Sequence, residues 1–189
     1  KIHHKMKESK QIYNAILQIN LKNIENNYNY LKKSAPNTII AACVKANSYG
    51  LGSNEICKVL YKKNCKDFFV ATLEEALLLR KQYKYVNIYM LNGVNDLESF
   101  FEAYNSNIIT VINNLNQFLI LKAFFKINKK RIRCCIHFDT GMNRLGLKLK
   151  DYSDYIYPFL KNLDIKLVIS HLISSEKKSV LNDNQLKLF

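Results

Sequence analysis

The sequence predicts an α/β fold whose strands form a parallel sheet. Short β-branched runs alternate strictly with longer amphipathic runs, and after one leading strand the βα unit recurs six times, the last incomplete. Neither a GxGxxG fingerprint nor a GxxxxGK(S/T) loop occurs, so the common nucleotide-binding open sheets lose support. Periodicity leaves two architectures, an open doubly wound sheet and an unfinished (β/α)8 barrel.

Ala15 to Ile19 reads as the leading strand. Over Lys22 to Lys33, the residues Ile24, Tyr28 and Leu31 recur at helical spacing, and Pro36 and Asn37 end the run. Thr38 to Val44 is an apolar strand. Ser53 is placed to cap a helix with Ile56, Val59 and Leu60 on one face. Asp67–Ala71, Val86–Leu91, Asn107–Ile112, Arg131–Phe138 and Ile165–Ile169 follow as strands. The intervening runs Leu73–Gln82, Asn95–Tyr104, Leu115–Ile127 and Asp151–Lys161 read as helices, and Asn182–Phe189 opens one more.

With 189 residues, 48% of them hydrophobic and 23% charged, the chain has globular composition and the length for one sizeable core. The net charge of +14 raises the question of a nucleic-acid partner. The lysines, however, spread from Lys22 through Lys81 to Lys166 without a block of six, and the run Lys129-Lys130-Arg131 falls between elements. This is the pattern of a solvated surface, and no nucleic acid is expected. The five cysteines, at 43, 57, 65, 134 and 135, are odd in number and lack CxxC spacing. That argues against a disulfide framework and a metal site and fits a reducing cytoplasm. Cys43 and Cys134 lie in apolar runs, where buried cysteines are common. No apolar run is long enough to cross a bilayer, and the polar start Lys1–Gln11 has no signal-peptide core, so no membrane partner is expected. The chain divides into a polar segment, 1–13, and a barrel domain, 14–189.

In either architecture, functional groups collect at the carboxyl ends of the strands. Lys45 directly follows an apolar strand and precedes Ala46-Asn47-Ser48-Tyr49-Gly50-Leu51-Gly52. A desolvated amine loses its proton more readily and becomes a nucleophile or base, as Schiff-base chemistry requires. The alternative is a lysine that snorkels from a strand end into water. Tyr49 offers a hydroxyl at the same mouth, and Gly50 and Gly52 permit a tight turn. After the strand RIRCCI, the run His137 to Gly146 packs an acid, a hydroxyl, two glycines and Arg144 into one junction. Arg144 is suited to an anionic or phenolate oxygen. The plainer reading makes Asp139 a turn cap and Arg144 a surface charge. Ser170-His171 ends the strand KLVIS, where a lone histidine is more often structural. His3 and His4 lie in the polar start, and the helix dipole suffices to explain Glu74 and Glu75 in a first turn.

These residues resemble one family. VKANSYGLG is similar to the pyridoxal-phosphate attachment motif of alanine racemases, and VATLEEALLLR resembles their second βα unit. DTGMNRLG and ISHLISSE resemble two further strand ends, in family order, so that the resemblance covers Ile16 to Phe189. It implies an incomplete TIM-type (β/α)8 barrel that binds pyridoxal 5′-phosphate and acts on alanine, in a cytoplasmic homodimer. In that resemblance Lys45 is the Schiff-base lysine and the base on the D-alanine side. Tyr49 bonds the phosphate, Arg144 contacts the ring's phenolic oxygen and the substrate, His171 packs beside the ring, and Leu91 lines the pocket. Two departures stand out. Where the family often has a carbamylated lysine, this chain has His137, so the support of Arg144 must differ. The family's remaining strands, its C-terminal β-domain and the tyrosine that serves as second base are not in the sequence, so this polypeptide alone is not expected to racemise alanine. A non-catalytic pyridoxal-phosphate homeostasis barrel and a racemase for another amino acid, such as serine, are the alternatives.

Overall fold

A computed structural model of the chain describes residues 15–189, so the polar segment 1–13 lies outside the described residues. Six strands, β1 (Ala42–Cys43), β2 (Asp67–Val70), β3 (Asn87–Met90), β4 (Ile109–Ile112), β5 (Ile132–His137) and β6 (Leu163–Ile169), pair in the order β1-β2-β3-β4-β5-β6. Every pair is parallel. This order decides between the two architectures left open by periodicity. A doubly wound sheet reverses its strand order at a switch point. Here each crossover advances one strand in the same direction, which lays down a barrel wall.

The helices are α1 (Leu21–Ser34), α3 (Ser53–Lys62), α4 (Leu73–Gln82), α5 (Leu97–Asn105), α6 (Leu115–Asn128) and α8 (Val180–Leu188), with two short turns, α2 (Lys45–Tyr49) and α7 (Leu149–Asp151). Side chains cap most of them. Asn20, Thr72, Asp96, Asn114 and Ser179 each accept from backbone N–H groups that a helix start leaves unpaired. The wall has two apolar faces. Ile132, Cys134 and Ile136 join the large core beneath the helices, whereas Cys135 joins Tyr89, Ile109 and Val111 on the inner face. Phe100, Phe118 and Phe124 are almost wholly buried in the outer core. Each such side chain contributes about 1.5–3 kcal/mol of burial.

Four expectations are corrected. Ala15 to Ile19 joins no strand of the sheet, and Ile16 and Leu17 are exposed. A strand needs a neighbour for its N–H and C=O groups, and alternation alone does not supply one. The strand expected over Thr38–Val44 shortens to Ala42–Cys43, because only these two residues find partners, Phe68 and Phe69, on β2. Cys43 is exposed rather than buried, since its side of β1 faces a cavity; all five cysteines are free. The helix expected over Asp151–Lys161 is instead a wide turn over Tyr152–Ile156 followed by a tight one over Tyr157–Asn162. Pro158 explains this, because it has no N–H for the helical ladder and its ring crowds the preceding turn.

At the end of the wall remote from the strand carboxyl ends, Arg80 acts as a staple. Its guanidinium donates to the carbonyl oxygens of Ser106, Tyr83, Lys84, Val86 and Asn107 at 2.8–3.1 Å. It thereby joins the end of α4 to the turn that enters β4. Arg80→Ala strands several of these acceptors. It is expected to lower unfolding stability by about 2–3 kcal/mol in urea titration, with little recovery in Arg80→Lys, which lacks the planar fork.

Candidate functional site

Lys45, Tyr49, Leu91, Arg144 and His171 line one cavity of about 490 Å³ at the carboxyl ends of the strands. They come from four strand ends, and His137 and Cys43 join them there. All five residues singled out by sequence therefore meet, and Arg144, an exposed charge as the plainer reading has it, stands at the edge of that cavity. The floor is apolar. Phe69 stacks on Tyr89, with ring centroids 4.6 Å apart.

The segment bearing Lys45 has an unusual backbone. Ala46, Asn47 and Ser48 have φ of 50°, 53° and 55° with ψ between 45° and 50°, and Tyr49 continues at φ 55°. This is one turn of left-handed helix, closed by Ser48 N–H on Val44 O and Gly50 N–H on Ala46 O, both at 3.0 Å. The tight turn expected from Gly50 and Gly52 thus begins before either glycine. Left-handed backbone costs an L-residue roughly 1–2 kcal/mol. The surroundings must offset that cost.

Three contacts do so. Asn47 Oδ1 accepts from Ser53 N–H at 2.8 Å, and Ser53 Oγ donates to Val44 O at 3.1 Å. The third comes from Glu75. Its Oε1 accepts from Ala46 N–H at 2.7 Å, while its Oε2 accepts from Ala71 N–H at 2.7 Å. One carboxylate thus ties the lysine-bearing turn to the end of β2. Thr72 and Glu75 also form a reciprocal capping box. The dipole explanation suffices for Glu74 but understates Glu75, which positions the Lys45 segment.

The loop after β5 is similarly braced. Asp139 Oδ1 accepts from Gly141 N–H and Asn143 N–H, each at 3.0 Å, so the turn-cap reading of Asp139 is right. Burial raises the Asp139 pKa, but the backbone bonds from Gly141, Asn143 and Met142 outweigh it and hold the carboxyl below its ordinary value. Gly146 sits at φ 120°, and a Cβ there would lie 2.4 Å from Asp139 N, so the loop closes only on glycine. Thr140 Oγ1 and Ser170 Oγ are 2.6 Å apart, and Gln185 Nε2 donates to Thr140 Oγ1 and His171 O. Gln185, on α8, was not singled out by sequence. A glutamine on a helix carries no local sign of what it will meet.

Charge sets the state of the site's ionisable groups. Burial, then the Arg144 and Lys45 cations, hold the His171 pKa below its ordinary 6.5. The Cys43 thiol lies 3.4 Å from the Tyr49 hydroxyl; that contact, then burial, raises the Tyr49 phenol, which stays protonated as a donor.

Two outcomes follow. In Glu75→Gln, hydrogen exchange at Ala46 N–H accelerates about tenfold, as loss of one charge-assisted bond implies, while the buried Phe68 and Ile88 amides keep their rates. His137 and His171 both titrate below their ordinary value in the folded chain, so the unfolded chain binds more protons as pH falls. The stability they contribute is present above the unfolded-state pKa and lost below it. Urea midpoints are therefore expected to drop between about pH 7.5 and 5.5, and less so in His171→Gln.

Residues 19–189 match the family described as alanine racemase, N-terminal domain. The chain is 42% identical over 177 residues to the alanine racemase of Rickettsia akari, covering 92% of this chain and 50% of that protein. It spans about half the length of the curated relatives it matches. Among solved structures, alanine racemase from Bartonella henselae with covalently bound pyridoxal phosphate superposes with a TM-score of 0.83 at 34% identity, over 90% of this chain and 50% of its own. A histidine racemase from Leuconostoc mesenteroides superposes with a TM-score of 0.79 at 21% identity, over 88% of this chain and 46% of its own, a likeness of fold alone. The six-stranded wall is thus part of a TIM-type barrel, and the chain belongs to the alanine racemase N-terminal domain family.

Proposed function

We propose that residues 14–189 form the cofactor-bearing barrel of an enzyme that interconverts L- and D-alanine on pyridoxal 5′-phosphate. The observation that carries this reading is the convergence of Lys45, Tyr49, Arg144 and His171 on one cavity. Its size, about 490 Å³, lies within the usual range of cofactor pockets. The donor set also fits: a primary amine for an aldehyde, a protonated phenol for phosphate, a guanidinium for a phenolic oxygen, and a neutral imidazole for a flat ring.

Lys45 would hold the cofactor through Nζ. When bound, the cofactor withdraws electrons from the substrate's α-carbon and so acidifies its hydrogen. Lys45 Nζ then takes or returns that proton on the D-alanine side. The raised Tyr49 pKa keeps its hydroxyl a donor toward phosphate oxygen. Arg144 donates to the phenolic oxygen and meets the substrate's charge. His171 flanks the ring, and Leu91 supplies apolar wall. A second base must act on the opposite face, and this reading assigns it to a tyrosine from a partner subunit in a homodimer. D-alanine for peptidoglycan in the cytoplasm is the physiological use that goes with this assignment. No helix among the described residues is long and apolar enough to cross a membrane.

The test uses the full-length protein with pyridoxal 5′-phosphate. Borohydride reduction followed by mass spectrometry should place the adduct on Lys45, and Lys45→Ala should lose it. Exchange of the alanine α-proton in deuterated water should fall by about 10³-fold in Lys45→Ala, as loss of a positioned base implies. An adduct without exchange favours the homeostasis barrel, faster exchange of serine favours another racemase, and absence of the adduct rejects the reading.

A further inference from the structure

We infer that the end of the wall remote from Lys45 holds a second site, which takes a small oxyanion of the phosphate class between Arg131 and Arg133. A cavity of about 220 Å³ lies there, lined by Phe100, Tyr104, Asn107, Ile108, Arg131 and Arg133. It shares no lining residue with the Lys45 cavity, so the inference stands apart from the cofactor reading.

The fold brings three guanidinium groups to this end. Arg80 comes from the last turn of α4, Arg131 precedes β5, and Arg133 is the second residue of β5. Two of them meet on one residue. Asn107 accepts from Arg80 Nη2 on its carbonyl oxygen at 2.8 Å and from Arg133 Nη1 on its Oδ1. Charges of one sign this close repel, and burial, then the Arg133 charge, hold the Arg80 pKa below its ordinary value. Among the described residues, no carboxylate forms an ion pair with any of the three. Asp164, opposite Arg133 in the β5–β6 register, pairs with Lys166 at 2.7 Å. Asp67, at the start of β2, accepts from Asn87 Nδ2 and the Tyr89 hydroxyl.

The donors at the cavity are only partly spent. Arg80 is occupied by its five carbonyl oxygens and contributes chiefly its charge. The Arg131 guanidinium donates to Leu163 O at 2.6 Å, which leaves most of its N–H groups free. Arg133 Nε is buried, and no protein group among the described residues accepts from it. A buried charged donor without an acceptor is costly, and an anionic oxygen removes that cost.

The lining states the ligand class. Its polar residues are two arginines, Asn107 and Tyr104, with no carboxylate among them. Phe100 and Ile108, both buried, form the apolar side, and a wall of low dielectric strengthens attraction between unlike charges. Guanidinium forks match the geometry of phosphate oxygens, and the unbalanced charge of Arg131 and Arg133 favours a dianion over a carboxylate. The volume falls below the roughly 300–1,000 Å³ of pockets for larger ligands, so the occupant is the free oxyanion. Bound there, it ties the turn that enters β4 to the start of β5.

The test uses the full-length protein loaded with pyridoxal 5′-phosphate, which fills the Lys45 cavity, and inorganic phosphate as the probe. In protein labelled with 15N-arginine, the Arg133 Nε–H resonance should shift saturably with phosphate and with sulfate. Acetate and sodium chloride at equal ionic strength should leave it in place. The urea midpoint should rise over the same phosphate range, because the anion binds only the folded chain. Arg131→Gln, at an exposed position, should weaken phosphate binding about tenfold, as loss of one charge-assisted contact implies, and Arg133→Gln should abolish the saturable rise. The readout is local to Arg133, so failure of the cofactor reading leaves the test intact. A response matched by acetate or chloride, or one unchanged in both variants, overturns the inference. So does an Arg133 Nε–H that is already hydrogen-bonded in anion-free protein and insensitive to phosphate.

Discussion

Four consecutive residues after Lys45 lie in left-handed backbone, and one carboxylate from the first turn of α4 helps hold them there. The cavity depends on that bond. Lys45 leaves β1, which among the described residues pairs β2 through two residues only, Ala42 and Cys43. Glu75 supplies the missing restraint by sharing its two oxygens between Ala46 and Ala71. Strain of this kind persists only where surroundings over-determine it, and such places cluster at functional sites.

The other strand ends are braced by different chemistry to the same effect. Asp139 and Gly146 close the loop after β5, and Gln185 ties that loop to the end of β6. Asn113 and Gln117 join the ends of β3, β4 and β5. Most of these braces are polar side chains bonded to backbone groups at the loop ends. A parallel barrel brings these ends into one ring, and the braces turn the ring into a shaped cavity.

Within that cavity, cations are close enough to matter. Arg144 and Lys45 bear on His171, and Arg144 and His171 bear on His137. Both imidazoles titrate below their ordinary value in response, so they add less positive charge to the cavity. The overall charge of +14 belongs to a different scale, that of dispersed surface lysines.

Much of this was legible in the sequence because it is local. Alternating periods marked six βα units, and strand-end position with four ordered motifs marked Lys45, Tyr49, Leu91, Arg144 and His171. The cap expected at Ser53 is instead the first residue of α3, with Gly52 at the cap position and no side-chain bond. Even the Thr72–Glu75 capping box is a spacing three residues long. The left-handed turn was not legible, since of Ala46, Asn47, Ser48 and Tyr49 only Asn47 favours that backbone. Nor was the second bond of Glu75, whose partner lies 29 residues away. The relay from His137 through Asn113 to Gln117 was hidden for the same reason, because its contacts are made only in the fold. Periodicity and motif spacing depend on neighbours along the chain; strain relief and side-chain relays depend on neighbours in space, and the ring of strand ends decides which those are.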